Sequence, residues 1–416
     1  MLSEQSAATV RATLPAVGAA IDEITTRFYD GLFTAHPELL RDLFNRGNQA
    51  ARTQQRALAG SIAAFATHLV DRPDERPDAM LSRIAHKHAS LGVLPDQYQV
   101  VHKHLFEAIV EVLGEAVTPE VAAAWDEVYW LMANALIAVE KRLYEERGAH
   151  EWRAWEVVER IEETADVATF RIRPADGRPV PAFRAGQYVS VQVELADGAH
   201  QIRQYSLSAA PGAGARQITV KRVAAVAAEG ADGAEAPAGE VSNHLHATVR
   251  EGDVLRVSAP FGDLVLEDAD APLLLASAGI GVTPIAAMLG HLAETGHKGA
   301  VTVVHADRSP ATHALRAAQE AAVAALPDAS LHLWYEADAP EGARAGLVDL
   351  AESGKSGESG ELKGSGGITV APGTRAYLCG PLPFMRAVRS QLLGLGVPAA
   401  DIHYEVFGPD LWLAQD

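Results

Sequence analysis

The stretch Pro272–Pro284, PLLLASAGIGVTP, decides the architecture of the C-terminal part of the chain. Its first half is a short, wholly apolar run, as expected for a strand buried on both faces. Gly279 and Gly281 then make a tight turn, and Pro284 sits where a helix opens. A strand that runs through glycines into a helix N-terminus lets the backbone approach a pyrophosphate, with unpaired N–H groups and the positive dipole end facing it. A tight strand–helix turn without a ligand reads the same way, so the stretch alone leaves both open. Beyond it, AVTVVHA (300–306), LHLWYEA (331–337) and AYLCGP (376–381) are further buried-strand candidates with helical stretches between them. This alternation predicts a doubly wound parallel sheet over residues 267–416.

Upstream the pattern changes twice. Over residues 151–266, β-rich runs such as Ala168–Ile172, Tyr188–Val193 and Gln217–Lys221 are separated by Gly, Pro and Asp, which predicts an antiparallel barrel or sandwich. Residues 1–150 read as all-α. Apolar residues recur at helical spacing at Ile62, Phe65, Ala66 and Leu69 and again at Val128, Leu131, Met132 and Ala135, and prolines stand at expected helix starts or connections (Pro37, Pro73, Pro77, Pro95, Pro119). Ala224–Gly239 and Ser353–Gly367 lack the apolar content to pack and are expected to be mobile surface tracts.

Composition narrows the function. The 416 residues carry 35 Lys+Arg against 54 Asp+Glu, a net charge of −19, which disfavours nucleic acid as a partner. One cysteine, Cys379, excludes a disulfide framework and any multi-cysteine metal site. The N-terminus shows no secretory signal and no stretch is apolar enough to span a bilayer, so a cytoplasmic protein without an obligate membrane partner is expected.

Three clusters carry chemistry. In QIRQYSLS (201–208), Arg203 offers a bidentate anion grip, Tyr205 a flat ring with a polar tip, and Ser206 a short donor; strand alternation sets Arg203 and Tyr205 on one face and Gln204 and Ser206 on the other. AGQYVSV upstream and GEVSNHLH downstream add weight. In AHKHASLGV (85–93), His86 and His88 project about 200° apart on a helix, so only one faces a given site. His88 shares its face with Leu81, Ile84, Ala85 and Leu91 and is either a satisfied core residue or an axial ligand. Gln54 and Leu58 stand four apart and share a face.

The ordered motifs RQYS, GEVSN, GIGVTP, CGP (379–381) and YEVFGP (404–409) resemble the ferredoxin–NADP reductase family. The N-terminal motifs RFYDGLF (27–33), DLFNRGNQ (42–49), QQRAL (54–58), AHKHASLGV and DQYQVVHKHLF (96–106) resemble the globin domain of bacterial and yeast flavohemoglobins. The resemblance covers nearly the whole chain and implies a globin (haem) domain at 1–150, an FAD-binding β-barrel at 151–266 and an NAD(P)-binding α/β domain at 267–416. It implies His88 as the ligand of haem b iron, with Tyr98 and Glu140 bonded behind it, a carboxylate–histidine arrangement that makes the imidazole more electron-donating. Phe44 would pack on the haem, Tyr29 and Gln54 would line the distal pocket with Leu58, and Lys87 would face the flavin side. In that family Tyr29 stands on the second helix and Gln54 on the fifth.

For the reductase, the resemblance implies that Arg203, Gln204, Tyr205 and Ser206 hold FAD, with Gln187 and Tyr188 nearby and Gly239, Val241 and Ser242 adding donors. Gly279, Gly281, Val282, Thr283 and Pro284 would carry the nicotinamide nucleotide, with Cys379, Gly380 and Pro381 near the hydride path. Phe407 would stack beside the flavin, followed by Gly408 and Pro409. Arg308, in HADRS (305–309), favours a 2′-phosphate and thus NADPH, whereas Asp307 would suit a free 2′-hydroxyl, so NADH and NADPH both stay open. The departures are the two long tracts, His244 where an aromatic is usual, and Val406 where cysteine is common. The implied activity is nitric oxide dioxygenation: NO and O2 become nitrate at a haem kept ferrous by NAD(P)H through FAD, in a monomer, with lipid a candidate occupant of the haem pocket. The alternatives are a haem-based gas sensor or oxygen carrier with an attached reductase, and a quinone or hydroperoxide reductase. A sensor needs an output module, and none is expected in a chain ending seven residues past FGP.

Overall fold

A computed structural model describes residues 2–147, 152–212, 214–225, 237–267, 271–351 and 368–409. The N-terminal third is helical: α1 (Glu4–Ala35), α2 (Pro37–Asp42), α3 (Arg46–Ala50), α4 (Thr53–Asp71), α5 (Asp78–Leu91), α6 (Pro95–Leu113) and α7 (Pro119–Arg147). Pro37, Pro95 and Pro119 each open a helix, where the missing N–H costs nothing. α5 ends at Gly92, whose φ of +79° is left-handed, and the Gly92 and Val93 N–H groups close onto Ala89 and His88 carbonyls. The chain therefore turns sharply one helical turn after His88.

One difference from the helix positions implied by the resemblance concerns α1. Tyr29 lies on a single continuous 32-residue helix with Pro15 inside it, not on a second helix, and Gln54 lies on α4. Pro15 removes one backbone hydrogen bond, but Val10, Val17, Ile24, Phe28 and Leu32 are buried on either side of it, and that packing holds the helix through the defect.

The middle third forms β1 (Arg153–Thr164), β2 (Val167–Pro174), β3 (Tyr188–Glu194), β4 (His200–Ser206), β5 (Arg216–Lys221), α8 (Glu240–Thr248) and β6 (Val254–Val257). Its six strands run in the order β4-β3-β6-β1-β2-β5, all pairs antiparallel, and a bridge between Leu207 and Ile218 brings the two edges together. Closure removes most of the exposed edge. Trp155, Val157, Phe170, Ile172, Val191, Ile218 and Val257 fill the interior.

The last third contains β7 (Leu273–Ala278), α9 (Val282–Thr295), β8 (Val301–Asp307), α10 (Arg316–Ala325), β9 (Ala329–Tyr335), β10 (Arg344–Ala345), β11 (Arg375–Cys379), α11 (Leu382–Gly394) and β12 (Ile402–Glu405). Its sheet is parallel, in the order β10-β9-β8-β7-β11-β12. The order reverses beside β7, and that switch point is where such sheets leave a crevice for a ligand. β7 is buried at all six residues, as its unbroken apolar run implied. The tract Ser353–Gly367 lies outside the described residues, as does most of Ala224–Gly239. No described helix is long and apolar enough to cross a membrane.

Candidate functional site

A cavity of about 1290 Å³ reaches from the helices into the barrel and the C-terminal end of the parallel sheet. It exceeds the roughly 300–1,000 Å³ of a drug-sized site, so it has room for more than one cofactor. Its helical part is lined by Tyr29, Phe44, Gln54, Leu58, Lys87, His88 and Tyr98.

On one side, His88 Nδ1 lies 2.9 Å from Glu140 Oε1 and 2.9 Å from the Tyr98 hydroxyl, which itself donates to Glu140 Oε1 at 2.6 Å. A carboxylate only accepts, so the imidazole proton sits on Nδ1 and the Nε2 lone pair is left for a ligand. Glu140 is only 2 % exposed, and its charge has no bulk water to screen it. Burial, and then Glu140, push the Tyr98 hydroxyl far above the ordinary phenol range, so it stays protonated. On the other side, the Tyr29 ring packs against Phe28, Phe33 and Phe44. Burial raises its hydroxyl well above the usual range, and hydrogen bonding by Gln54 and then Gln49 offsets part of this. The phenol stays a neutral donor. Gln49 sits on the short polar helix α3, where a lone amide carries no periodic signal in the sequence.

In the barrel, Tyr188, Arg203, Gln204, Tyr205, Ser206, Gly239 and Ser242 line the same cavity. The expected split of Arg203 and Tyr205 from Gln204 and Ser206 does not separate them here. β4 pairs along these residues with β3 alone, so its open edge lies along the cavity and both faces reach it. Desolvation lowers the Arg203 pKa from its ordinary value, yet a guanidinium keeps its charge in a protein. Gln187 is buried beside the site, accepting from the Arg184 N–H through Oε1, and Val241 packs into the barrel core rather than against the cavity.

In the parallel domain, Ile280 and Thr283 line the cavity with Glu405, Val406, Phe407, Gly408 and Pro409. A Cβ on Gly281 would collide with the Cys379 carbonyl, so only glycine lets the turn after β7 pack against β11. Gly279, Val282, Pro284, Gly380 and Pro381 frame that turn without lining the cavity. Cys379 is fully buried, and burial and Glu405 raise its thiol well above the ordinary range, which keeps it neutral. Arg308 is exposed and stands away from the cavity, 3.8 Å from Asp166.

Interdomain contacts surround the cavity. Arg46 forms ion pairs with Asp197 and Glu240 at 2.6 and 2.7 Å. Arg83, on the same helix as His88, pairs with Asp263 at 3.7 Å and stacks over the Tyr404 ring at 4.2 Å. The Gly262 N–H donates to His86 Nδ1 at 3.0 Å.

Three family models match along the chain: Globin over residues 26–136, Oxidoreductase FAD-binding domain over 154–266 and Oxidoreductase NAD-binding domain over 275–390. The flavohemoprotein of Chromobacterium violaceum is 42% identical over 415 residues, covering 98% of each chain. The chain belongs to the flavohemoglobin family. It is thus an oxidoreductase with globin, FAD-binding and NAD-binding domains. The flavohemoprotein of Rhizobium meliloti is 40% identical, over 99% of this chain and all of that one. The crystal structure of the flavohemoglobin from Malassezia yamatoensis, with bound FAD and haem, superposes with a TM-score of 0.85 at 35% identity over 98% of this chain and all of that one. The FAD/NAD-binding part of the nitric oxide dioxygenase from Vibrio cholerae gives 0.53 at 34% identity, over 62% of this chain and all of that one.

Proposed function

We propose that the chain is a nitric oxide dioxygenase that converts NO and O2 to nitrate, drawing electrons from NAD(P)H. One observation carries the reading: a single cavity joins His88 and Tyr29 to Arg203 and Phe407. The name of the Vibrio cholerae relative points the same way.

The residues present fit the groups this reaction needs. His88 has its Nδ1 proton held by a buried carboxylate, which suits Nε2 to an iron, and Phe44 and Leu58 supply apolar walls for haem. Arg203, Tyr205 and Ser206 form a cationic, partly aromatic grip for FAD, with Gln204, Tyr188 and Gln187 beside it, Gly239 and Ser242 also lining the cavity, and Val241 anchoring their segment in the barrel core. Gly279–Pro284, followed by Cys379–Pro381, would take the nicotinamide nucleotide, and Phe407, Gly408 and Pro409 would close the flavin side. Bound together, NAD(P)H supplies a hydride, FAD splits it into single electrons, and haem iron is where oxygen and NO meet.

The chain's own work is placement and polarisation. Tyr29 and Gln54 offer neutral donors where negative charge develops on oxygen. Glu140 and Tyr98 orient the imidazole from behind. Arg46 and Arg83 dock the helices onto the reductase. In the same reading the chain acts as a cytoplasmic monomer. The test is NO consumption under air with NAD(P)H: nitrate formed in step with NAD(P)H oxidised is the expected result. NAD(P)H oxidation that ignores NO but responds to quinones or hydroperoxides would overturn it.

A further inference from the structure

Gln201 opens the strand segment that carries Arg203, yet its side chain leaves the barrel and enters the helical domain. It is wholly buried. Its Nε2 donates to the carbonyls of Leu40, Arg41 and Phe44 at 3.2, 2.9 and 3.2 Å. Leu40 and Arg41 belong to the last turn of α2, where helix carbonyls have no partner within their own helix. A residue about 160 positions away, on another domain, therefore caps this helix. Its Oε1 accepts from the Arg203 guanidinium at 3.2 Å and from the Arg46 N–H at 3.4 Å. One amide thus touches the cation of the proposed flavin grip and the backbone on both sides of Phe44. The Arg46 side chain adds a parallel tie through Glu240, the neighbour of Gly239.

We propose that Gln201 is a positioning residue that couples the two cofactor sites, so that FAD binding and haem binding favour each other. FAD phosphate held by Arg203 fixes the guanidinium that Gln201 Oε1 accepts from. The fixed amide then holds the α2 carbonyls and the Phe44 backbone in one place, and with them the wall of the haem pocket. Coupling between two sites is reciprocal, so haem strengthens FAD binding by the same factor. The inference rests on the reading that Arg203 holds FAD and Phe44 covers haem.

The experiment times haem transfer from the full chain to an excess of a haem-scavenging globin, with FAD bound and after FAD is stripped. In the parent, bound FAD slows haem loss by about fivefold or more, the lower end of ordinary site-to-site coupling. Gln201→Glu keeps an acceptor for Arg203 but turns carboxylate oxygen toward three carbonyl oxygens, so FAD stays bound while its effect on haem loss disappears. Gln201→Met keeps the length without polar atoms and serves if the buried charge prevents folding; there too the FAD effect disappears. Parent protein purified without haem or FAD overturns the functional reading and the coupling with it. Full cofactor content with no FAD effect in the parent, or with an equal effect in both variants, overturns the coupling alone.

Discussion

Glu140 lies 52 residues beyond His88, yet its Oε1 stands 2.9 Å from His88 Nδ1. The C-terminal part of α7 thereby places a buried negative charge behind the one histidine of α5 that faces the cavity. Glu140→Gln keeps the shape and a hydrogen bond but removes the charge. The imidazole then donates less electron density, and the expected result is a higher haem midpoint potential with roughly 10- to 100-fold weaker haem retention. Spectroelectrochemistry and haem transfer measure both, and an unchanged potential would show that the carboxylate does not act on the iron.

Tyr29→Phe keeps the ring that packs on Phe44 and removes only the hydroxyl. Loss of a hydrogen bond to a partly charged acceptor, about 1.5–3 kcal/mol, corresponds to roughly 10- to 150-fold faster oxygen release. Stopped-flow oxygen displacement reads this directly, with flavin reduction by NAD(P)H unaffected. Unaltered release would mean that the phenol points away from bound oxygen.

Arg203→Ala removes the cation at the barrel edge. FAD affinity falls about tenfold or more, as for a charge-assisted hydrogen bond lost in a partly buried site. Flavin content after dialysis checks it, and full retention would sink the assignment.

The helical starts at Pro37, Pro95 and Pro119 and the β7–glycine–α9 turn were legible in the sequence, because each is a local signal. The His88 face was legible for the same reason. Gln201, Arg46 and Arg83 were not. Each acts through partners some 150 or more positions away, and a single polar residue leaves no periodic trace. The continuity of α1 through Pro15 was hidden because tertiary burial on both sides outweighs the local penalty. The common reach of Gln204 and Ser206 with Arg203 into the cavity depended on β4 being an edge, which alternation cannot reveal.

Gly281→Ala places a methyl group against the Cys379 carbonyl, where neighbouring backbone leaves no room. Overpacking of this kind costs about 1–3 kcal/mol. Expected results are an earlier unfolding transition of the parallel domain and a raised KM for NAD(P)H, with the haem spectrum unchanged. Parent-like calorimetry would mean that β7 and β11 can separate freely.

Within that domain the His305 and His313 rings stack with centroids 3.9 Å apart, and His305 Nδ1 lies 2.8 Å from the Ser277 hydroxyl. Burial lowers both pKa values, that of His313 to about 3, with the neighbouring His305 adding to the effect. Unfolded histidines protonate near 6.5, so below that pH the unfolded chain binds more protons and native stability falls as pH drops toward 3. Each histidine contributes a slope of up to about 1.4 kcal/mol per pH unit. Denaturant midpoints between pH 7.5 and 5 should fall less steeply in His313→Gln than in the parent; equal slopes would refute the account.

Arg83 and His86 sit on the helix that also bears His88, and they hold that helix against Asp263, Tyr404 and Gly262 of the reductase. Electron donor and acceptor are thus tethered at a fixed, high effective concentration rather than meeting by diffusion. On the proposed function, dilution would not slow delivery to the haem, and turnover per molecule would be the same whether the cell held few copies or many.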